Sequence, residues 1–208
     1  MKKLLVLALS VVSIAAHAGA LESLENFMKS AKTGKVEFTQ VVTSPAKDGQ
    51  VRSKTSMGTF EFSRPNRFRF NYNKPFQQTI VADGQTLWLH DVDLNQVTAR
   101  KQDKVLGSTP AALISSASDV ATLKKDFDLQ PLADRDGLQW VEATPKVKDG
   151  QLRSVKVGFR GNELAALDIL DGFGQRSVIS FNKMEVNAGV SQEAFSFKPP
   201  ANADVVKQ

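Results

Sequence analysis

The sequence predicts a mainly β fold with a minority of helix (α+β): a largely antiparallel barrel or strongly curved sheet carrying short helices. Three observations lead there. Residues 57–72 alternate aromatic and polar side chains on either side of Arg64-Pro65-Asn66. Phe60 and Phe62 therefore share one face of a first strand, and Phe68, Phe70 and Tyr72 share one face of a second. Strand-like runs also recur at short spacing, separated by Asp83-Gly84, Asp136-Gly137, Asp149-Gly150, Gly161-Asn162 and Asp171-Gly172, all suited to hairpin turns. Helical periodicity, by contrast, is confined to two short stretches.

The elements follow in order. Met1-Lys2-Lys3, the apolar run Leu4–Ala16 and the small-x-small site Ala16-His17-Ala18 describe a cleavable secretory signal over residues 1–18, with Ala20 as the second candidate site. The apolar run is short for a bilayer span. Residues 19–208 then form a single domain long enough to bury a substantial core. Leu21, Leu24, Phe27, Met28 and Ala31 mark one stripe of a helix over 21–32, ended by Thr33-Gly34. Val36, Phe38, Gln40 and Val42 alternate as a strand, and Pro45–Gln50 is a polar loop. Four strands over 57–89 come next, the last being Thr86-Leu87-Trp88-Leu89, and a further strand is expected at Gln96–Arg100.

Gly107-Ser108-Thr109-Pro110 reads as a helix start, giving short helices at Ala111–Ile114 and Ser118–Leu123. Strands resume at Phe127–Gln130, Gln139–Thr144, Arg153–Arg160, Glu163–Leu170 and Gln175–Val186. Phe195-Ser196-Phe197 is the expected last strand, closed by Pro199-Pro200. No internal repeat and no linker is evident.

Composition narrows the class. The chain carries no cysteine, and its net charge of +5 falls to +3 when Lys2 and Lys3 leave with the signal. Export without cysteine points to a bacterial periplasm. A mild, diffuse positive charge suits an acidic partner or an anionic surface and gives no argument for nucleic acid. Only His90 remains after the signal is removed, so no Ser/His/Asp or Cys/His set is expected without it. A Gly-x-Ser-x-Gly elbow and a phosphate-binding glycine loop are missing. The pairs Asp91/Asp93 and Asp134/Asp136 are better read as turn residues than as acid–base or calcium groups. The expectation is a protein with no catalytic residue, metal or cofactor.

What is present is apolar. Any one of Phe38, Phe60, Phe62, Phe68, Phe70, Tyr72 and Trp88 fits an ordinary core. Together they exceed what a thin sheet needs, and a half-closed sheet of about ten strands encloses more volume than its own side chains fill. Leu24, Phe27 and Met28, with Leu113 and Ile114, would plug that interior and swing aside for an apolar ligand. Arg64 stands at the strand-to-turn corner, where five donors can latch a helix or loop across the mouth. Arg67 and Arg69 alternate with the phenylalanines and are expected on the outer face, serving solubility.

Gly58-x-Phe60-x-x-x-Arg64-Pro65-Asn66-x-Phe68, then Asp83-Gly84-x-Thr86-Leu87-Trp88, then Ser108-Thr109-Pro110-x-x-Leu113-Ile114 resemble LolA, the outer-membrane lipoprotein carrier family. Phe38-Thr39-Gln40 and Phe195-x-Phe197-x-Pro199-Pro200 add to the likeness, which runs across the mature chain. The resemblance implies an incomplete antiparallel β-barrel with helices as a lid over a hydrophobic cavity. It implies a monomeric periplasmic chaperone that takes acylated lipoproteins from an ATP-driven inner-membrane release complex and passes them to a LolB-like outer-membrane receptor. It carries a lid-latching role onto Arg64 and a cavity role onto Phe68 and Trp88, with Phe70 where relatives have tryptophan. His90, replacing an aromatic, would make the rim more polar. The receptor family shares the fold but is anchored through a cysteine that this chain lacks. Two other classes stay open: a lipid- or lipoprotein-sensing regulatory domain on the same barrel, and a lipid-acting enzyme that would need His90 or an Asp pair.

Overall fold

The computed structural model describes residues 18–45, 50–105, 110–115, 119–147 and 152–208. Residues 1–17 of the expected secretory signal, the interior of the Pro45–Gln50 loop, the expected helix start at Gly107–Thr109, Ser118 and the expected Asp149-Gly150 turn lie outside the described residues.

The chain opens with α1 (Ala18–Ser30) and runs through β1 (Thr33–Ser44), β2 (Arg52–Ser63), β3 (Arg67–Lys74), β4 (Gln78–Ala82), β5 (Thr86–Asp91) and β6 (Gln96–Lys101). Three short helices follow: α2 (Gln102–Val105), α3 (Pro110–Ser115) and α4 (Val120–Asp126). The second half holds β7 (Phe127–Arg135), β8 (Leu138–Pro145), β9 (Leu152–Arg160), β10 (Glu163–Asp171), β11 (Arg176–Phe181) and β12 (Glu185–Val186). A 3-10 turn at Gln192–Phe195 and a terminal strand β13 (Asp204–Lys207) complete it. Among the described residues no helix is long and apolar enough to cross a membrane.

Among the described residues, thirteen strands form one sheet in the order β13-β6-β5-β4-β3-β2-β1-β11-β10-β9-β8-β7, with β12 also on β1. All neighbours are antiparallel except β13 on β6. β13 and β7 stand at opposite ends of that order, so the sheet curls into an open, incomplete barrel. Hairpin turns then alternate between two ends. The β2–β3, β4–β5, β7–β8 and β9–β10 turns gather at one, which α1 and α3 cover. The β1–β2, β3–β4, β5–β6 and β10–β11 connections gather at the other, which no described helix covers.

The curl has a local cause. A Cβ on Gly58 would stand 2.0 Å from the carbonyl oxygen of Asn71, and one on Gly34 would stand 2.3 Å from Cε1 of Phe62. Only glycine admits such approaches, and the β2–β3 register slips between Met57 and Gly58, as at a bulge.

Four sequence expectations change. Residues 195–197 are not a strand. Ser191 caps a turn there, accepting from the Glu193 amide at 3.2 Å, and the Ser196 amide donates back to Glu193 at 3.0 Å. Both edges of β3 beneath this segment are already taken by β2 and β4, so no ladder is free to pair with it. The free edge belongs to β6, and Asp204–Lys207, beyond Pro199-Pro200, takes it. The strand expected over Gln175–Val186 breaks at 182–184, where the Asn182 amide turns to the Glu37 carbonyl at 3.0 Å. β7 continues past Pro131 to Arg135, because an edge strand has no ladder bond for the missing N–H to break. In the β10–β11 connection the glycine in the left-handed region is Gly174, not Gly172.

Candidate functional site

Directly opposed residues of paired strands share a face, so the pairing fixes what the concave side presents. One row crosses Gly34, Phe62, Phe68, Ala82 and Leu87, and the next crosses Val36, Phe60, Phe70, Ile80 and Leu89. A third runs Phe181, Phe38, Gly58, Tyr72 and Gln78. Beyond β1 the face continues through Ile179, Leu167, Val157 and Val141. The rings touch throughout: Phe60 and Phe70 at 4.3 Å between centroids, Phe38 and Tyr72 at 5.2 Å, Phe38 and Phe70 at 5.5 Å.

Two helices lie on this face. Leu24, Phe27 and Met28 of α1 and Leu113 and Ile114 of α3 are buried in the same cluster as Phe38, Phe60, Phe62, Phe68 and Phe70. Phe27 bridges the two halves of the sheet, 6.2 Å from Phe62 and 5.9 Å from Phe159. Each of these helical side chains contributes roughly 1.5–3 kcal/mol by leaving water. Those contacts are non-directional, so an apolar ligand of similar shape can make them equally well.

The charged directional contacts come from Arg64. Its Nη1 donates to the carbonyls of Met28 and Ala31, both at 2.7 Å, and to that of Phe27 at 3.4 Å. Its Nε donates to the Ile114 carbonyl at 2.9 Å. One guanidinium thus meets carbonyls at the C-terminal ends of α1 and α3, Ala31 lying just past α1, at the negative end of the α1 dipole; the Phe27 carbonyl also accepts from the Ala31 amide at 2.9 Å. The group sits 5.1 Å from the Phe27 ring and 5.5 Å from the Phe62 ring. Burial pulls its pKa down to about 10, which leaves it cationic at neutral pH. Nη2 is buried without a hydrogen-bond partner among the described residues.

Three residues to which the sequence assigns no role at the lid complete this end. The Asn66 amide donates to the Ser115 carbonyl at 2.9 Å. Buried Gln102 donates to the Asn66 carbonyl at 2.6 Å and accepts from the Gly84 amide at 3.0 Å, tying two turns together. Asn187 accepts from the Lys32 amide at 2.9 Å and donates to the Ser30 carbonyl at 3.0 Å. A lone Asn or Gln carries no periodic signal, and only the fold brings these beside a helix end.

Of the residues singled out in the sequence, Phe38, Phe60, Phe62, Phe68, Phe70, Leu24, Met28, Leu113 and Ile114 come together under one lid, with Arg64 at its edge. Trp88 does not. It is opposed to Val81, in register with Arg69, and so faces the convex side, where its Nε1 donates to Asp83 at 2.8 Å and its ring meets Phe197 at 5.5 Å. His90 shares that face and lies 5.8 Å from Phe197, so it is not on the rim of the concave face. Arg67 and Arg69 are also convex but do more than solubilise. Arg67 donates to Gln192, and Arg69 donates to the Ala194 carbonyl at 2.8 Å, holding the C-terminal segment across β3. Asp91 is a turn residue, accepting from the Leu94 amide at 3.1 Å.

Beyond Phe38 and Tyr72 no described residue covers the concave face. It forms an open cleft of about 550 Å³ lined by Gln40, Ser56, Tyr72, Gln78 and Ser177, with Phe76 and Leu94 at the rim. Burial raises the Tyr72 phenol to a pKa of about 12.

The model of the family described as "Outer membrane lipoprotein carrier protein LolA" matches residues 29–198. Among relatives, an outer-membrane lipoprotein carrier protein of Albidiferax ferrireducens is 66% identical over 198 residues, covering 93% of each chain. One of Methylibium petroleiphilum is 54% identical, covering 97% of this chain and 96% of its own. Among solved structures, a LolA superfamily protein of Nitrosomonas europaea superposes with a TM-score of 0.47 at 12% identity, covering 88% of this chain and 98% of its own. With a family match across most of the chain and relatives this similar from end to end, the chain belongs to the outer membrane lipoprotein carrier protein family, LolA.

Proposed function

We propose that the chain, after removal of residues 1–18, is a periplasmic carrier of acylated lipoproteins. It accepts them from an ATP-driven release complex of the inner membrane and delivers them to a LolB-like receptor of the outer membrane. Phe38, Phe60, Phe62, Phe68 and Phe70 form the wall against which acyl chains lie, and Leu24, Met28, Leu113 and Ile114 are the side chains they displace. Arg64 is the latch. The observation that carries this reading is one apolar face, covered by two helices whose C-terminal carbonyls converge on one arginine. The cargo class is supported by the names of the relatives, which favour transport over a regulatory role.

The energetics suit a carrier that must also release. A buried methylene contributes about 0.8 kcal/mol, so acyl chains alone would be held very tightly. Here they compete with the lid for the same surface, and part of their binding energy goes into opening it. The closed form is the empty state in this scheme.

The test is a release assay. Inner-membrane vesicles holding a labelled triacylated lipoprotein are given ATP with and without the purified mature protein. A soluble one-to-one complex that forms only in its presence is the expected result. Absence of release, with lipid still bound by the protein, would overturn the carrier reading.

A further inference from the structure

The concave face changes chemistry along its length. At the lid end its rows are aromatic. At the open end, beside Val42, Lys54 and Asp91, the same face carries five uncharged polar side chains, Gln40, Ser56, Tyr72, Gln78 and Ser177, all half-buried and all lining the 550 Å³ cleft. Not one of these five side chains makes a hydrogen bond among the described residues. That contrasts with the lid end, where Gln102 uses both ends of its amide. Half-buried polar groups left unpaired when a ligand displaces their water cost about 1–3 kcal/mol each. An occupant that is apolar throughout would impose that cost, whereas one bringing acceptors to this end avoids it.

We infer that this cleft is the subsite for the polar neck of the cargo: the ester and amide carbonyls that join the acyl chains to the first residues of the acylated polypeptide. The inference rests on the carrier reading above. Each glutamine offers two amide donors, and each serine and the tyrosine offer one hydroxyl, while ester and amide carbonyls accept. The cleft is within the usual size of a small-molecule site, mostly preformed and with a few convergent polar groups. It is continuous with the aromatic wall through Phe38 and Tyr72, whose rings are in contact. Tails therefore lie beneath α1 and α3, the neck lies on the polar rows, and the polypeptide leaves past Phe76 and Leu94, which are 56% and 71% exposed.

The experiment titrates the mature protein and its Gln40→Leu/Gln78→Leu variant with two probes, a triacylated cysteinyl hexapeptide and palmitate. The ratio of hexapeptide to palmitate affinity is expected to fall roughly tenfold or more in the variant, since two amide side chains are lost. A hexapeptide whose acyl chains are ether-linked, titrated against the wild-type protein, sidesteps any folding defect and is expected to bind about tenfold more weakly than the ester. Equal losses for both probes, with ester and ether bound alike, overturn the subsite and leave the carrier reading standing. Failure of the wild-type protein to bind either probe overturns the carrier reading and the subsite with it.

Discussion

Replacing Arg64 with leucine removes the charged contacts between lid and sheet while keeping apolar bulk against Phe27 and Phe62. Three close charged bonds are lost, to Met28, Ala31 and Ile114 at 2.7, 2.7 and 2.9 Å. Such bonds contribute roughly 1.5–3 kcal/mol each. Against them stands the burial that draws the guanidinium from 12.5 to about 10, a cost of roughly 3 kcal/mol. The unpaired Nη2 adds to that cost. Near the lower end of the per-bond range the three bonds total about 5 kcal/mol, and the balance leaves about 2 kcal/mol in favour of the closed lid, close to thirtyfold in its equilibrium. Hydrogen exchange at neutral pH reads this directly. Amides of α1 are expected to exchange roughly thirtyfold faster in Arg64→Leu, while those of β9 and β10 keep wild-type rates. Unchanged exchange in α1 would show that these bonds do not hold the helix. Equal acceleration in β9 and β10 would show that Arg64 supports the whole fold rather than a lid.

Two further outcomes test the surroundings. Gly58→Ala puts a Cβ within 2.0 Å of the Asn71 carbonyl oxygen, a backbone atom that cannot turn aside. Overpacking of this kind costs about 1–3 kcal/mol. A drop of about 5 °C in Tm is expected; a melt indistinguishable from wild type would mean that the β2–β3 bend is not fixed by this approach. Arg69→Ala removes the 2.8 Å bond to Ala194 and should loosen Phe197 from Trp88. Acrylamide should then quench tryptophan fluorescence more strongly, through Trp88, because Trp140 is buried. Unaltered quenching would place the hold on Phe197 elsewhere.

Much of the site was legible because its signals are local. The period-two alternation around Arg64-Pro65-Asn66 assigns Phe60, Phe62, Phe68 and Phe70 to common faces without reference to the rest of the chain. The spacing of Leu24, Phe27 and Met28 defines the stripe that α1 buries. The position of Arg64 at a strand end foreshadows a role at the mouth, but the carbonyls it meets lie 33 to 50 residues away in sequence. Trp88 was misplaced because alternation says only that it opposes Leu87 and Leu89. The register with Val81 and Arg69 decides that its face is the convex one. Arg67 and Arg69 were correctly put outside, but nothing near them announces the segment 125 residues on that they hold.

The sequence by itself determined the secondary structure of most elements, the apolar stripe of the lid helix and the aromatic content of the wall. These depend on side-chain periodicity within a few residues. Tertiary structure alone decided which face is concave, that the C-terminal residues 204–207 rather than 195–197 pair with the sheet, and that one end of the concave face is polar and unpaired. Those facts depend on register and on which edges and faces other strands have already taken, and no local pattern carries that information.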